Sequence, residues 1–313
     1  MLTNFFSSES TQTLLQRPDT LAVIPMRGRC APGVGRAIGT GLIELGTGAD
    51  NEVWRDVDQV VSRGTHEDIS WSKSDRTACV ALWLDLGGDR DIEGEVARSY
   101  MHLISFLKDQ GFGFLLRGWQ YLPTINAGEG DHELYKRFCS GRLQAFDALG
   151  LAQEMYPAAS ALGHHVEGAV IFLFASKTAP VHLTNAKQVD AYHYPREYGV
   201  SSPSFARASV LIEDGVKQLF ISGTASILGH QTVAPDSVLD QLQTTVDNIE
   251  QLLSQADMAK DALTTMKIYL RQKESLESVQ AWLSQRYPQV QKRYFHADIC
   301  RSSLSVEIEG FCQ

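Results

Sequence analysis

The residues best placed to do chemistry stand near the end of the chain, in 299-ICRSSLSVEIEGFCQ-313. Leu304, Val306 and Ile308 alternate with Ser303, Ser305, Glu307 and Glu309. A strand here carries its apolar side chains on one face and both glutamates on the other. A carboxyl group buried on such a face keeps its proton at neutral pH and becomes a proton donor. Glu307 is the preferred donor and Glu309 the fallback. The plain alternative is a pair of solvated charges on an edge strand, because Glu is rarely buried unpaired.

Positioning that strand falls to a patterned chain. Residues 1–20 read as a loose lead-in, 21–26 as a short strand, and 49–75 as loops with one or two short strands. GVGRAIG, within 27–41, lacks the strand–turn–helix setting of a dinucleotide loop. From there the pattern sharpens: a strand at 77–86, a helix at 92–110 ended by Gly111 and Gly113, a strand at 112–122, a helix at 132–147, a turn region at 157–163 and a strand at 166–175. After a linking stretch, 207–226 reads as strand–turn–strand, 237–256 as a helix, 262–271 as a strand, 275–288 as a helix and 299–309 as the last strand. The halves form a diverged internal repeat in which LLRGWQYL aligns with TMKIYLRQ, YKRFCSGR with AWLSQRYP, and AVIFLFA with SLSVEIE.

Composition narrows the partners. The 313 residues are 43% hydrophobic and 21% charged, and the net charge is −9 without any Lys/Arg run. Nucleic acid is a poor fit, because phosphate neutralisation needs clustered cations. The N-terminus shows no signal-peptide pattern and no apolar run reaches membrane length, so a cytoplasmic location is expected. Five scattered cysteines, Cys30, Cys79, Cys139, Cys300 and Cys312, suit a reducing compartment and give no zinc spacing. His164 and His165 are read as loop residues.

Several separated motifs carry a family resemblance: 117-RGWQYLPTIN-126, 135-YKRFCSGR-142, 185-NAKQVDAYHYPREYGVSSPSFARA-208, 221-ISGTASILGH-230 and 300-CRSSLSVEIEG-310. Together they resemble the chorismatases, over about residues 75–313, and the second half alone is similar to RidA/YjgF proteins. The resemblance implies an α+β fold of two RidA/YjgF-like (chorismate mutase-like) units in tandem, with mixed sheets and helices packed on one face. It divides the chain into an N-terminal lead-in and strands joined to the first unit (1–75), the first unit (76–180) and a second unit (181–313) that carries the acid. No cofactor or metal is implied. The chain is expected as a monomer or a homo-oligomer, a trimer-like arrangement included.

The implied reaction cleaves the enolpyruvyl ether of chorismate, which requires protonation at its methylene carbon. The resemblance puts the family's acid on Glu307. The two carboxylates of chorismate call for guanidinium forks and phenol hydroxyls, here Arg207, Tyr194, Arg142 and Tyr198, of which Arg207 and Tyr194 are the stronger pair. Arg117 and Arg196 are assigned to structure or surface. Cys300 and Ala225 are expected in the wall and mix two patterns: Cys goes with 3-hydroxybenzoate, Ala with the dihydroxycyclohexadiene product. The expected product is 3-hydroxybenzoate, with 4-hydroxybenzoate or the diene as alternatives. Gln120 and Gln231 depart from the family without an assigned role. Nothing beside Cys300 suggests a reactive thiolate: Arg301 follows it, but neighbouring strand residues face opposite ways. An imine deaminase is disfavoured by Asp298, where that activity needs an arginine. A silent binder and a chorismate mutase-like rearrangement remain as rivals.

Overall fold

The computed structural model describes residues 1–27, 37–88 and 90–313. Cys30 and most of GVGRAIG lie outside them. Two seven-stranded mixed sheets dominate. One runs in the order Asp298–Ile299, Ala158–His164, Phe114–Pro123, Ala169–Ser176, Thr77–Leu84, Ile69–Lys73, Ser62–His66. The other runs Ile43–Glu44, Gln291–His296, Leu263–Leu270, Val306–Cys312, Val216–Ala225, Ala208–Glu213, Val181–Leu183. The two lists match position for position. In each, the second and third strands pair in parallel and the inner pairs that follow are antiparallel. This is the α+β tandem arrangement expected from the repeat.

Each sheet buries its outer face under two helices. Helix Ile92–Asp109 starts where the Asp91 carboxylate accepts from the Gly94 amide at 3.1 Å. It packs Val96, Tyr100, Leu103 and Leu107 with Phe138 and Phe146 of helix Leu134–Ala148. Helices Val238–Gln255 and Leu276–Arg286 cover the second sheet through Leu242, Val246, Ile249, Val279 and Leu283.

The inner faces meet across an aromatic core, Trp119, Phe172 and Phe174 against Phe220, Tyr269 and Phe311. A third sheet closes it, ordered Leu2–Ser7, Asn51–Asp56, Thr20–Pro25. Its Trp54 stacks on Phe220 at 5.8 Å between centroids and sits edge-on to Phe311 at 5.1 Å and Phe174 at 5.2 Å.

Several expectations are corrected. Residues 1–20 are no loose lead-in: they hold strand Leu2–Ser7 and helix Thr11–Leu15, with Leu2 and Leu14 fully buried. The span 49–75 carries three strands. Residues 157–163, read as a turn, are strand Ala158–His164. Its small residues are there for fit: a Cβ on Gly163 would stand 2.5 Å from Ile125 Cγ2. Strand Gln291–His296 went unread because charge masks its alternation. The pairing of AVIFLFA with SLSVEIE slips by one residue, since Leu173 faces the helices whereas Glu307 and Glu309 face inward. The last strand is broken: Asp298–Ile299 joins the first sheet, Val306–Cys312 the second, and 300–305 bridges them.

Replacing Trp54 with Ala is expected to cost about 3–5 kcal/mol, because the cavity it leaves is walled by three sheets that cannot collapse together. The urea midpoint checks this.

Candidate active site

The crossing at 300–305 builds the site. Arg271 fixes it: Nε donates to the Leu304 carbonyl at 2.8 Å, Nη2 to those of Ile299 at 2.8 Å and Arg301 at 3.0 Å, and Nη1 to the Asp298 carboxylate at 2.8 Å. Asp298 is thereby turned to Arg271, with His165 Nε2 at 3.5 Å. The bend encloses a cavity of about 440 Å³, the size of a pocket for a small ring compound.

Glu307, Arg207, Tyr194, Tyr198, Cys300 and Ala225 all line this cavity. Arg142 lies behind them, in a recess of about 30 Å³ that also reaches Glu307 and Cys300. The structure therefore brings all seven expected residues together.

Glu307 is 4% exposed, on the inward face of its strand. Burial raises its pKa and the neighbouring Glu309 charge adds to this; Arg117 and Arg271 pull the other way, and the balance is about 8. The carboxyl is predominantly protonated at pH 7. Gly223 makes room for it, since a Cβ there would meet Glu307 Oε1 at 2.0 Å.

Glu309, two residues on, has the opposite fate. Its Oε1 takes Lys267 Nζ at 2.7 Å and Trp119 Nε1 at 2.9 Å. Its Oε2 takes Arg117 Nη2 at 2.8 Å and the Ser160 hydroxyl. Burial alone would raise its pKa, but Lys267 and Arg117 outweigh that and bring it to about 2. Glu309 is a fixed anion within a salt-bridge cluster, so the fallback donor is ruled out by its charge. Arg117 is structural, as expected, and Arg196 forms a surface pair with Asp131 at 2.7 Å.

The cationic groups come from three elements. Arg207 Nη2 donates to the Tyr194 hydroxyl and the Val189 carbonyl, each at 2.8 Å, while its buried Nε has no partner among the described residues. Arg142, 2% exposed, leaves Nε and Nη2 without partners there too. A buried guanidinium with unused donors is costly unless something else fills them.

Arg301 is the residue that sequence reasoning missed. On a bend rather than a strand, it shares the cavity with Cys300, and its guanidinium lies 3.8 Å from the Tyr198 ring centroid and 5.0 Å from that of Tyr194. Nη1 donates to the His230 carbonyl at 2.8 Å, and buried Nη2 has no partner among the described residues. Tyr135 was also missed, although it precedes Arg142 by seven residues, two turns on one helix face.

Cys300 is an apolar wall: burial first, and then Glu307, push its thiol up to about 12. Gln120 is buried in the recess, oriented so that its amide donates to the Ser160 carbonyl at 2.8 Å and accepts from Tyr100 at 3.0 Å. Gln231 is exposed and outside the cavity wall. His164 is a buried strand end rather than a loop residue, with burial lowering its pKa to about 4.

Fold and cavity together define an α+β protein built on two large mixed sheets, with a buried carboxyl of raised pKa lining an arginine- and tyrosine-rich chamber. Comparison with known proteins carries this further. Residues 52–175 match the family profile described as "Chorismatase FkbO/Hyg5-like, N-terminal". The chain is 35% identical over 228 residues to a 3-hydroxybenzoate synthase of Streptomyces hygroscopicus, covering 68% of this chain and 67% of that one. It is 31% identical over 274 residues to a chorismatase of the same organism, covering 84% and 79%. A chorismatase crystal structure, 28% identical, superposes with a TM-score of 0.87 over 100% of this chain and 98% of that one. The chain belongs to the chorismatase family.

Glu309→Gln leaves Arg117 and Lys267 facing a neutral group and is expected to destabilise by about 3–5 kcal/mol in urea unfolding. Glu307 gives a pH signature of definite sign. Its folded pKa lies above its ordinary value of 4.5, so the stability its proton supplies is full below about pH 4.5 and is lost as pH rises through about 8. Glu307→Gln should flatten the fall in stability between pH 5 and 8; an unchanged slope would show that Glu307 is not the titrating group.

Proposed function

We propose that this protein is a chorismatase that uses Glu307 as general acid, converting chorismate to pyruvate and 3-hydroxybenzoate. The observation that carries this reading is the Glu307 carboxyl, protonated at neutral pH and opening onto a cavity with three incompletely bonded guanidinium groups. An enol ether resists water until a proton reaches its methylene carbon. In this reading Glu307 donates that proton, and the ether becomes an oxocarbenium ion. The carboxylate left behind stabilises the cation electrostatically.

Arg207 with Tyr194, Arg301 stacked on Tyr198, and Arg142 in the recess would share the two substrate carboxylates, which would pair with donors that have no partner among the described residues. The second unit, residues 181–313, supplies the acid and most of the wall; the first, 76–180, supplies Arg142 and Tyr135; residues 1–75 line neither space and reach the site's surroundings through Glu52, which pairs with Lys267.

Atom balance separates the products. Chorismate equals pyruvate plus hydroxybenzoate with no net water, whereas the dihydroxycyclohexadiene product consumes one water. An apolar, un-ionised Cys300 beside Glu307 supports the water-free outcome. Ala225, which pairs with Glu307 across the strands, is the feature that keeps the diene as the second reading.

Among the described residues no helix is long and apolar enough to cross a membrane, and Cys79, Cys139, Cys300 and Cys312 are free thiols. Both fit the cytoplasmic location we infer.

Pyruvate release from chorismate, followed by coupled reduction to lactate with chromatography of the ring product, tests the reading. Glu307→Gln should lower kcat by at least about 100-fold with KM little changed. Turnover at the parent rate would refute it as the acid. Arg301→Ala should raise KM for chorismate roughly tenfold or more, with a smaller change in kcat; an unaltered concentration dependence would remove it from the site. Cys300→Ala should shift the product ratio towards the diene more than it changes total rate.

A further inference from the structure

A second cluster of chemically capable side chains lies away from the cavity, at the free edge of the first sheet. The hairpin joining Ser62–His66 to Ile69–Lys73 turns through Glu67 and Asp68 and presents His66, Glu67 and Asp68 to His102 on helix Ile92–Asp109. One ligand atom from each of His66, Glu67 and His102 lies within 4.8 Å of the others.

The two ring nitrogens of His102 face different carboxylates. Nδ1 is 3.3 Å from Asp68 Oδ1, and Nε2 is 3.2 Å from Glu67 Oε2. A neutral imidazole has only one N–H. If it donates from Nδ1 to Asp68, the Nε2 lone pair points at the Glu67 carboxylate, and two electron-rich atoms are left in contact. A cation between them removes the conflict: a second proton, or a metal ion that His66 would also ligate. A ligating histidine commonly gives its other N–H to a carboxylate, the arrangement that Asp68 makes with His102. The His66 ring is stacked on Phe106 of the same helix at 5.2 Å, which limits its rotation and holds it beside His102.

We propose that His66, Glu67 and His102 form a binding site for a late first-row divalent ion of the zinc type, with Asp68 orienting His102. Two imidazoles and a carboxylate are a zinc donor set, and a fourth position is left to water. The His102–Glu67 pair already stands at 3.2 Å, and the remaining ligand atoms, all within 4.8 Å, must close towards the roughly 3.4 Å spacing of a tetrahedral site with bonds of about 2.1 Å, a motion that the exposed His66 and Glu67 allow. The ion would clamp the sheet's edge hairpin to the helix that covers the sheet. None of these four residues lines the catalytic cavity, so the site is structural rather than part of turnover. His66 and His102 stand thirty-six positions apart, which is why no ligand spacing shows in the sequence.

The test titrates ZnCl2 into tag-free, chelator-treated full-length protein by calorimetry, with melting curves recorded with and without zinc. One ion per chain is expected, together with a zinc-dependent rise in Tm. His66→Ala and His102→Ala should each weaken binding at least about 100-fold and abolish the rise. Asp68→Asn, which keeps all three ligands, should weaken it about 10-fold. Absence of saturable binding at one ion per chain would overturn the proposal. So would equal binding by the His66→Ala/His102→Ala double variant, since the ion would then sit elsewhere, for instance on Cys300.

Discussion

Everything in this molecule leans on the Glu309 carboxylate. It is held by Lys267 from the adjacent strand and by Arg117, Trp119 and Ser160 from the other large sheet, while Lys267 reaches on to Glu52 of the N-terminal sheet at 2.8 Å. Glu52 in turn accepts from Asn4 and Trp54. Two cations and two anions cancel, and three sheets meet at one dry cluster. Such a cluster adds little net stability compared with apolar packing, but each member becomes costly to remove once the others are buried. It joins the three sheets through charged contacts, and it sets a permanent negative charge two residues from Glu307.

That charge ties architecture to chemistry. A single strand face presents two glutamates to the same interior, and their surroundings drive them apart: one surrounded by cations and ionised, one against apolar walls and protonated. Pairs of carboxyls separated in this way are how proteins keep an acid available at neutral pH. The cost of burying Glu307 falls as long as it keeps its proton, so the conditions that suit the fold and those that suit a proton donor coincide.

The cavity depends on a different device, the passage of the chain from one sheet to the other at 300–305. Arg271 gathers three carbonyls and the Asp298 carboxylate of that passage. With the bend fixed, Cys300 and Arg301 both line the cavity, and a strand could not have allowed this. The guanidinium groups of Arg207 and Arg301 lie over the rings of Tyr194 and Tyr198, and both, like that of Arg142, keep donors without partners among the described residues.

Much of this was legible in the sequence. Periodicity located the four long helices and most of the sheet strands, because apolar spacing reports directly on which face is buried. Alternation put Glu307 and Glu309 on one face, and the separated motifs named six cavity residues and Arg142. What the sequence did not carry were features whose cause is long-range. Leu2–Ser7 (LTNFFS) shows no apolar alternation, yet it is a strand because Leu2 and Asn4 find partners at positions 52–56. Ala158–His164 looks like a turn because its small residues answer to neighbours on other strands and loops, Ile125 and Asp298 against Gly163 and Glu309 against Ser160. Arg301 points into the cavity only because Arg271 bends the chain. Local patterns determined the elements and the chemical types present; the tertiary structure decided which glutamate keeps a proton, since a pKa is set by charges and burial that arrive from other strands.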